Sequence, residues 1–338
     1  MSIPSPSVLR HDRADPLASL DDAIARAEAG PLPAWSVGAR YRPYASWLRQ
    51  IRALAIPSAE FRLLRYGRSV EGEPLFALDV GEVTARGRAA VVLAGVHPNE
   101  WIGVEAAFAL LERLRGSARW LGADRAVGRR ALVFPIVNPD GIRRVEANLR
   151  AGARRFVRHN ARGVDLNRNF DASWGRLGFG QRLLGRLFRP GSRPASEPEI
   201  ESIAHALSGM RVDRAASLHS FGGAVLYPSA SSWRPIPDRD EHRAWADRIA
   251  RAAGRGRPYA ALSCARFAWG FRAGGLELDW FHERHGALSL LVECSRGGFG
   301  WPLARARDPF AWFNPKDPRA DASAVAGALE PFVLGMPP

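Results

Sequence analysis

The sequence predicts a single α/β domain with a central mixed, twisted sheet and helices on both faces, preceded by a helical N-terminal extension. Two observations predict this class. Short apolar runs that fit buried strands alternate with segments whose apolar residues recur at helical spacing. Near the start of this pattern, two β-like runs flank a short turn and add an antiparallel pair. With 46% hydrophobic residues in 338, the chain can bury a substantial core, which excludes wholesale disorder.

The elements can be assigned in order along the chain. Residues 15–30 and 41–55 predict two helices separated by GPLPAW, and FRLLRYGRSV with PLFALDVG predicts a hairpin around EGE. The elements expected after the hairpin are the strand Ala89–Val96, the helix Gly103–Leu114, the strand Ala131–Val137 closed by an NPDG turn, the helix Ala195–Leu207, the strand Ala215–Leu218, the helix Asp240–Ala253, the strand Gly286–Val292 and the helix Ala322–Leu334.

Composition narrows the cellular setting. No apolar run approaches the about 20 residues of a membrane span, and the N-terminus lacks a basic stretch followed by an apolar one. We therefore expect a cytoplasmic protein with no membrane partner, in which Cys264 and Cys294 are ordinary core residues. The net charge of +14 is interpreted as an exposed arginine-rich surface, because no recognised nucleic-acid module accompanies it. No nucleic-acid partner is expected, and nothing in the sequence indicates an oligomeric state.

Polar side chains stand just past several predicted strand ends. These are His97, Asn138, His219 and Glu293. In wound α/β sheets, functional residues collect where the strands end. His97 and Glu100 are three residues apart, so both can reach a common point if the chain turns after Val96. Imidazole nitrogen and carboxylate oxygen both suit zinc, and His219 would complete a His₂Glu set with one open position.

Two further stretches could carry chemistry. Glu293 ends a strongly apolar strand, so it is either a general base beside a metal-bound water or a charge paired with a nearby arginine. In RHNARGVDLNRNF, residues 158–170, Asn167 and Arg168 are suited to gripping a carboxylate through an amide and a planar fork. The alternative for this stretch is an exposed basic loop.

Taken together and in this order, the motifs resemble a known family. GVHPNEW, NPDG, GVDLNRNF, SEPE, LHSFGGAVLYP, LDW and LVEC are similar to the zinc carboxypeptidases of the carboxypeptidase A/B type, and the hairpin upstream also looks like that family's. The resemblance runs from about Tyr66 to Gly300. It implies a central sheet of about eight strands, and it implies that residues 56–338 form a carboxypeptidase-like catalytic domain behind the extension of residues 1–55.

The resemblance implies a metallocarboxypeptidase that hydrolyses the C-terminal peptide bond of peptides through a zinc-activated water. Its substrates would be peptides, or peptide-like molecules, with a free C-terminal carboxylate. The implied roles are one Zn²⁺ held by His97, Glu100 and His219, a general base at Glu293, a carbonyl-polarising and oxyanion-binding arginine at Arg158, and a binding pair for the terminal carboxylate at Asn167 and Arg168.

The sequence departs from the family pattern in three places. Asn99 stands where many members have arginine before the glutamate ligand. The region expected to hold the family's mobile tyrosine, FAWGFRAGG, contains none, so Phe271 or Trp269 is expected to cover the pocket. The pocket-specificity position falls near Glu277 and Leu278. A buried Glu277 would favour a basic terminal side chain, and an inward Leu278 would favour an apolar or aromatic one.

Other functions remain open from the sequence. In the HERH stretch, His282–His285, the two histidines are three residues apart, whereas a zincin helix needs them four residues apart. We therefore interpret them as two exposed residues on a helix. The same zinc site could instead act on γ-glutamyl peptides of the peptidoglycan type or on N-acyl amino acids. A non-enzymatic alternative is a binding protein that uses an arginine-rich cleft for acidic partners.

Overall fold

The structure is a computed structural model that describes residues 15–29, 40–56, 61–81, 87–121, 129–176, 178–183, 185–267, 272–297 and 307–338. An eight-stranded mixed sheet with helices on both faces confirms the predicted class. The strands are β1 (Phe61–Arg68), β2 (Pro74–Gly81), β3 (Arg88–Ala94), β4 (Arg129–Phe134), β5 (Arg211–His219), β6 (Ala224–Tyr227), β7 (Ala260–Ser263) and β8 (Leu288–Glu293). The helices of the described residues are α1 (Pro16–Glu28), α2 (Tyr44–Ala55), α3 (Trp101–Leu121), α4 (Pro139–Arg150), α5 (Phe179–Leu183), α6 (Pro198–Ala206), α7 (Arg239–Ala253), α8 (Cys264–Phe267), α9 (Glu277–His285), α10 (Pro309–Phe313) and α11 (Arg319–Val333).

The strand order is β1-β2-β4-β3-β5-β8-β6-β7. The four central strands β4, β3, β5 and β8 run parallel, whereas β2 joins β4 and β6 joins β8 in antiparallel fashion. The carboxyl ends of the central strands therefore meet along one edge of the sheet. His219 and Glu293 are register partners at the ends of β5 and β8.

Two apolar clusters fix the helices to the two faces. On one face, the sheet packs against α2, α3, α7 and α11, where Trp47, Trp101 and Trp245 are fully buried. On the other face, α6 and α9 contribute Ile203 and Phe281. Burying apolar stripes on both faces stabilises the sheet and makes its strand ends a rigid platform.

The two N-terminal helices form part of this packing. Leu20 of α1 and Trp47 of α2 belong to the larger cluster, and the indole of Trp47 meets that of Trp101 at 4.9 Å between ring centroids. Among the described residues 15–29 and 40–55, none lines the cleft described below. This is a helical layer on the sheet, while the boundary predicted at residue 55 stays a prediction.

The structure corrects one local prediction and adds elements. The NPDG stretch begins α4 instead of forming an isolated turn, because the Asn138 side chain accepts a hydrogen bond from the Gly141 N–H at 3.0 Å and Pro139 occupies the first helical turn. The sequence pattern places only His282–His285 of α9 on a helix, and it predicts none of α4, α5, α8, α10 and the strands β6 and β7. Both of these strands span four residues, too few for a periodic pattern.

Cys264 and Cys294 are both free thiols. Cys294 is buried in the core, as the sequence predicts, whereas Cys264 is half-buried and lines the cleft described below. Within the described ranges, no helix combines the length and apolar character needed to cross a bilayer.

Candidate metal centre and substrate cleft

Two strand ends and a helix start bring three potential metal ligands together. His97 lies three residues beyond the end of β3, Glu100 immediately precedes α3, and His219 is the last residue of β5. All three are at least 96% buried. Because β3 and β5 are neighbouring parallel strands, residues far apart in sequence meet at the same edge.

The ligand atoms converge on a common point. Nδ1 of His97 lies 2.9 Å from Oε1 of Glu100, and Nδ1 of His219 lies 2.8 Å from Oε2 of the same carboxylate. The two Nδ1 atoms are 3.2 Å apart. These separations approach the about 3.3 Å expected between neighbouring ligands of a tetrahedral zinc with Zn–N bonds of about 2.0–2.1 Å.

A second ring of carboxylates orients both imidazoles. Nε2 of His97 lies 3.0 Å from Oδ1 of Asp165, and Nε2 of His219 lies 2.7 Å from Oε1 of Glu277. In the neutral imidazoles, each Nε2 then carries the proton, so both Nδ1 lone pairs face the Glu100 carboxylate. Three lone-pair donors facing one another repel unless a proton or a metal ion lies between them, and this arrangement therefore fits zinc.

The electrostatics of the site also favour a cation. Burial alone would raise the pKa of the Glu100 carboxyl, but the imidazoles of His97 and His219 outweigh it and lower that pKa to about 2. Burial opposes the charging of His219, yet Glu277 and Glu100 raise its pKa to about 10. The carboxylates around His219 thus favour positive charge at the position where a metal ion would bind.

Glu293 stands beside this centre at the end of β8. Burial, followed by the charge of Glu100, raises the pKa of the Glu293 carboxyl to about 8. Its Oε2 atom is buried and has no hydrogen-bond partner among the described residues. A cation between Glu100 and the histidines would lower this pKa again and leave a carboxylate ready to accept a proton.

The loop that follows α4 supplies the cationic side of the cleft. Arg158 Nε donates to Oδ2 of Asp165 at 2.8 Å, so one carboxylate bridges Arg158 and His97. Asn167 and Arg168 are at least 93% buried, and the Asn167 amide oxygen accepts a hydrogen bond from the Glu277 N–H at 3.2 Å. In the described part of the chain, no acceptor meets Arg168 Nε, which is buried.

All these side chains except Asp165 and Glu277 line one cavity of about 230 Å³. Its lining contains His97, Glu100, Arg158, Asn167, Arg168, His219 and Glu293, the residues to which the sequence analysis assigns chemistry. The rest of the lining is largely apolar and includes Leu226, Ala230, Cys264, Phe267, Ala273, Leu276 and Leu291. A cleft with one charged side and one apolar side can hold an amphipathic chain end.

The structure corrects the expectation for the specificity position. Neither Glu277 nor Leu278 lines the cavity. Glu277 is fully buried and is engaged by His219 and by the hydroxyl of Ser217, which donates to its Oε1 at 2.6 Å. Leu278 is packed in the small apolar cluster behind the cavity, and Leu276 lies in the lining instead.

The remaining positions differ in their relation to the cleft. Phe271 and Trp269, expected to replace the family tyrosine, lie outside the described residues. Asn99 is 98% buried but lines a neighbouring cavity of about 200 Å³ rather than the cleft. Phe188 lines the cleft and was not foreseen, because no motif marks it.

A second cluster of potential ligands is better explained without a metal. Asp238, His242 and His282 lie close together. However, Nε2 of His242 accepts a hydrogen bond from the Ser289 N–H at 3.1 Å, so its Nδ1 must carry the proton, which it donates to the Asp238 carbonyl. His242 therefore has no free lone pair. The two histidines of HERH lie on a helix, as the sequence predicts, but neither is exposed. His282 is partly buried and pairs with Asp238, and His285 is half-buried against Trp280.

A family model and a curated relative show which proteins this chain is similar to. The family model described as zinc carboxypeptidase matches residues 44–308. Human carboxypeptidase A1 is 25% identical over 254 residues, covering 71% of this chain and 59% of that protein. The chain thus spans about 60% of the length of that curated relative.

Solved structures share the fold. The carboxypeptidase A of Helicoverpa armigera superposes with a TM-score of 0.66 at 20% identity, over 94% of this chain and 79% of that one. A metallo-carboxypeptidase from Burkholderia cenocepacia gives a TM-score of 0.59 at 18% identity, over 86% and 69% of the two chains. Since the family model matches more than half of the chain and its match includes the convergent His97, Glu100 and His219, the chain belongs to the zinc carboxypeptidase family.

Proposed function

We propose that the protein is a zinc-dependent carboxypeptidase that removes the C-terminal residue of peptides with a free terminal carboxylate. One observation carries the proposal. A three-ligand centre, a carboxyl group with a raised pKa and two arginines border the same cavity, which has an apolar far side. Each component has a distinct task in hydrolysing the last peptide bond.

Substrate binding is proposed to begin at the cationic side. Arg168 has an unused Nε–H, and a carboxylate would satisfy it through charge-assisted hydrogen bonds. The Asn167 side-chain oxygen is already held by the Glu277 N–H, so its amide nitrogen is left to donate to the same carboxylate. This pair would restrict binding to a chain end.

The chain's own residues would then carry the proton transfers and stabilise the charge. Zinc held by His97, Glu100 and His219 would supply a Lewis acid that acidifies a water and polarises the scissile carbonyl. Glu293 would accept the proton of the attacking water and deliver it to the departing amine. Arg158 would donate to the carbonyl oxygen as negative charge develops there.

The apolar side of the cavity suggests the preferred terminal residue. Leu226, Leu276 and Leu291 border the space, and the acidic side chains in the described part of the lining are Glu100 and Glu293 of the proposed metal centre. A basic terminal side chain would lose its hydration without gaining a partner, whereas an apolar one would gain from burial. We therefore propose peptides that end in apolar or aromatic residues as substrates.

A peptide panel tests the proposal. Peptides identical except for a C-terminal Phe, Leu, Arg or Glu, each with a free or amidated terminus, would be incubated with the zinc-loaded protein and analysed by mass spectrometry. We expect loss of the last residue from the free Phe and Leu peptides, and no cleavage after treatment with a chelator until zinc is restored. Cleavage of amidated and free peptides at the same rate would refute the proposal.

The alternatives receive no comparable support. A binding protein for acidic partners would have no need of the converging ligands His97, Glu100 and His219 or of the Glu293 carboxyl group, which border the same cavity as the arginines. Including a γ-glutamyl peptide and an N-acyl amino acid in the same panel compares the remaining zinc-dependent activities directly.

A further inference from the structure

One aromatic ring contacts both arginines of the cleft. Phe188 is half-buried and lines the cavity, and the guanidinium carbons of Arg158 and Arg168 each lie 5.2 Å from its ring centroid. A cation within about 6 Å of a ring centroid is attracted by the ring's quadrupole. A single side chain therefore links the two cationic groups of the proposed site.

The position of this ring is fixed by its neighbours in sequence. The Leu187 carbonyl lies 3.0 Å from Nε2 of His159, and the Arg189 carbonyl accepts a hydrogen bond from the Asp165 N–H at 2.9 Å. The next carbonyl, that of Pro190, accepts from the Asn169 side-chain amide at 2.8 Å. These contacts hold the backbone on both sides of Phe188 to the loop that carries the two arginines.

Arg168 needs such a contact more than Arg158 does. Arg158 is paired with Asp165, but the ion pairs of the described residues include none for Arg168. Its guanidinium is 93% buried, and NH1 donates only to the backbone carbonyl of the preceding residue. A buried cation without a carboxylate partner is costly, and an aromatic ring beside it can offset part of this cost before a ligand arrives.

The two arginines must also be held at a fixed spacing. In the proposed function, Arg168 binds the terminal carboxylate and Arg158 the carbonyl of the scissile bond. These groups belong to adjacent residues, whose Cα atoms are about 3.8 Å apart. Only a defined arrangement of the guanidinium groups engages both at once, and small displacements of a positioned group cost much of its effect.

We propose that Phe188 is a positioning residue that holds Arg158 and Arg168 in the arrangement that matches the last peptide bond of a substrate. The inference rests on the proposed function, because the spacing matters only if both arginines act on one substrate. It adds a residue from the segment between the GVDLNRNF and SEPE motifs to the site.

Three variants test this role. Phe188→Leu retains apolar volume but removes the ring, Phe188→Tyr retains the ring, and Phe179→Leu is the matched control because Phe179 is 84% exposed in the same segment. For a peptide with a free C-terminal Phe, we expect Phe188→Leu to raise KM and lower kcat, with kcat/KM falling about tenfold. Both Phe188→Tyr and Phe179→Leu should keep KM and kcat close to the wild-type values. A purely structural role would lower the amount of active enzyme without raising KM.

A binding measurement separates the inference from the proposed function. Calorimetry with an N-acyl phenylalanine would compare the wild-type protein with Phe188→Leu, where about tenfold weaker binding is expected. Weaker binding in a protein that cleaves no peptide would count against the proposed function but support the ring's role. Unchanged KM and unchanged binding in Phe188→Leu, or equal losses in the Leu and Tyr variants, would overturn it.

Discussion

Oε1 of Glu277 lies 2.7 Å from Nε2 of His219, and this contact mirrors the one of 3.0 Å between Asp165 and His97. Both candidate histidine ligands are thus backed by a buried carboxylate. Such a partner fixes the ring orientation and makes the imidazole a stronger donor to a metal ion. Glu277, expected from the sequence near the specificity pocket, therefore belongs to the support of the metal centre.

The first prediction concerns this support. Glu277→Gln retains the shape of the side chain but removes its charge, so zinc affinity should fall about tenfold. Competition with a chromophoric chelator measures the affinity without relying on activity. Glu283→Gln, on the exposed side of the same helix, is the control and should bind zinc like the wild type. Equal affinities of the two variants would mean that Glu277 has no influence on the metal.

The second prediction concerns Glu293. Glu293→Gln cannot accept a proton, so kcat should fall by about 10²–10⁴-fold. Because Glu293 is not among the converging ligands, the zinc content should stay at that of the wild type, as measured by metal analysis. Near-normal turnover with normal zinc would contradict its assignment as general base, whereas loss of zinc would indicate a role in metal binding.

The third prediction concerns the carboxylate-binding pair. Arg168→Gln removes the buried guanidinium, and a lost hydrogen bond between charged groups costs about 1.5–3 kcal/mol. We expect kcat/KM for free C-terminal peptides to fall between about tenfold and a few hundredfold, while amidated peptides change little. Arg186→Ala, exposed and outside the cavity lining, controls for the loss of one positive charge. An equal effect on free and amidated peptides would argue against the role of Arg168.

The sequence anticipates the parts of the site that depend on strand ends. His97, His219 and Glu293 each follow an apolar run, and parallel pairing of β3, β5 and β8 brings such positions together without further information. Phe188 and the contact of Glu277 with His219 were not foreseen. Both depend on how irregular segments pack, and neither periodicity nor turn chemistry determines that. The exact position at which α9 begins decides which side chain enters the pocket. The sequence pattern could not distinguish Leu276 from the next two residues, Glu277 and Leu278.

The last prediction concerns Glu199, a buried carboxyl in the first turn of α6. Its Oε1 accepts a hydrogen bond from the Val70 N–H and its Oε2 one from the Asn160 amide, both at 3.2 Å. These contacts do not offset burial, which raises the pKa of Glu199 to about 7 from its usual value of about 4.5. Between these two pH values the folded protein keeps a proton that the unfolded chain has lost. The contribution of Glu199 to the free energy of unfolding is therefore fully present below about pH 4.5. It decreases as the pH rises and is lost once the pH has passed about 7.

Glu199→Gln removes this dependence because the amide does not ionise. The unfolding free energy of the variant minus that of the wild type should increase by on the order of 2–3 kcal/mol from pH 5 to pH 8. Urea denaturation at the two pH values measures this gain, and the change with pH, rather than the absolute difference, is the informative quantity. Glu201→Gln, exposed on the same helix, should show no such change. If the difference between Glu199→Gln and the wild type were the same at both pH values, Glu199 would have to be ionised throughout this range, and its two hydrogen bonds would then outweigh the cost of burying its charge.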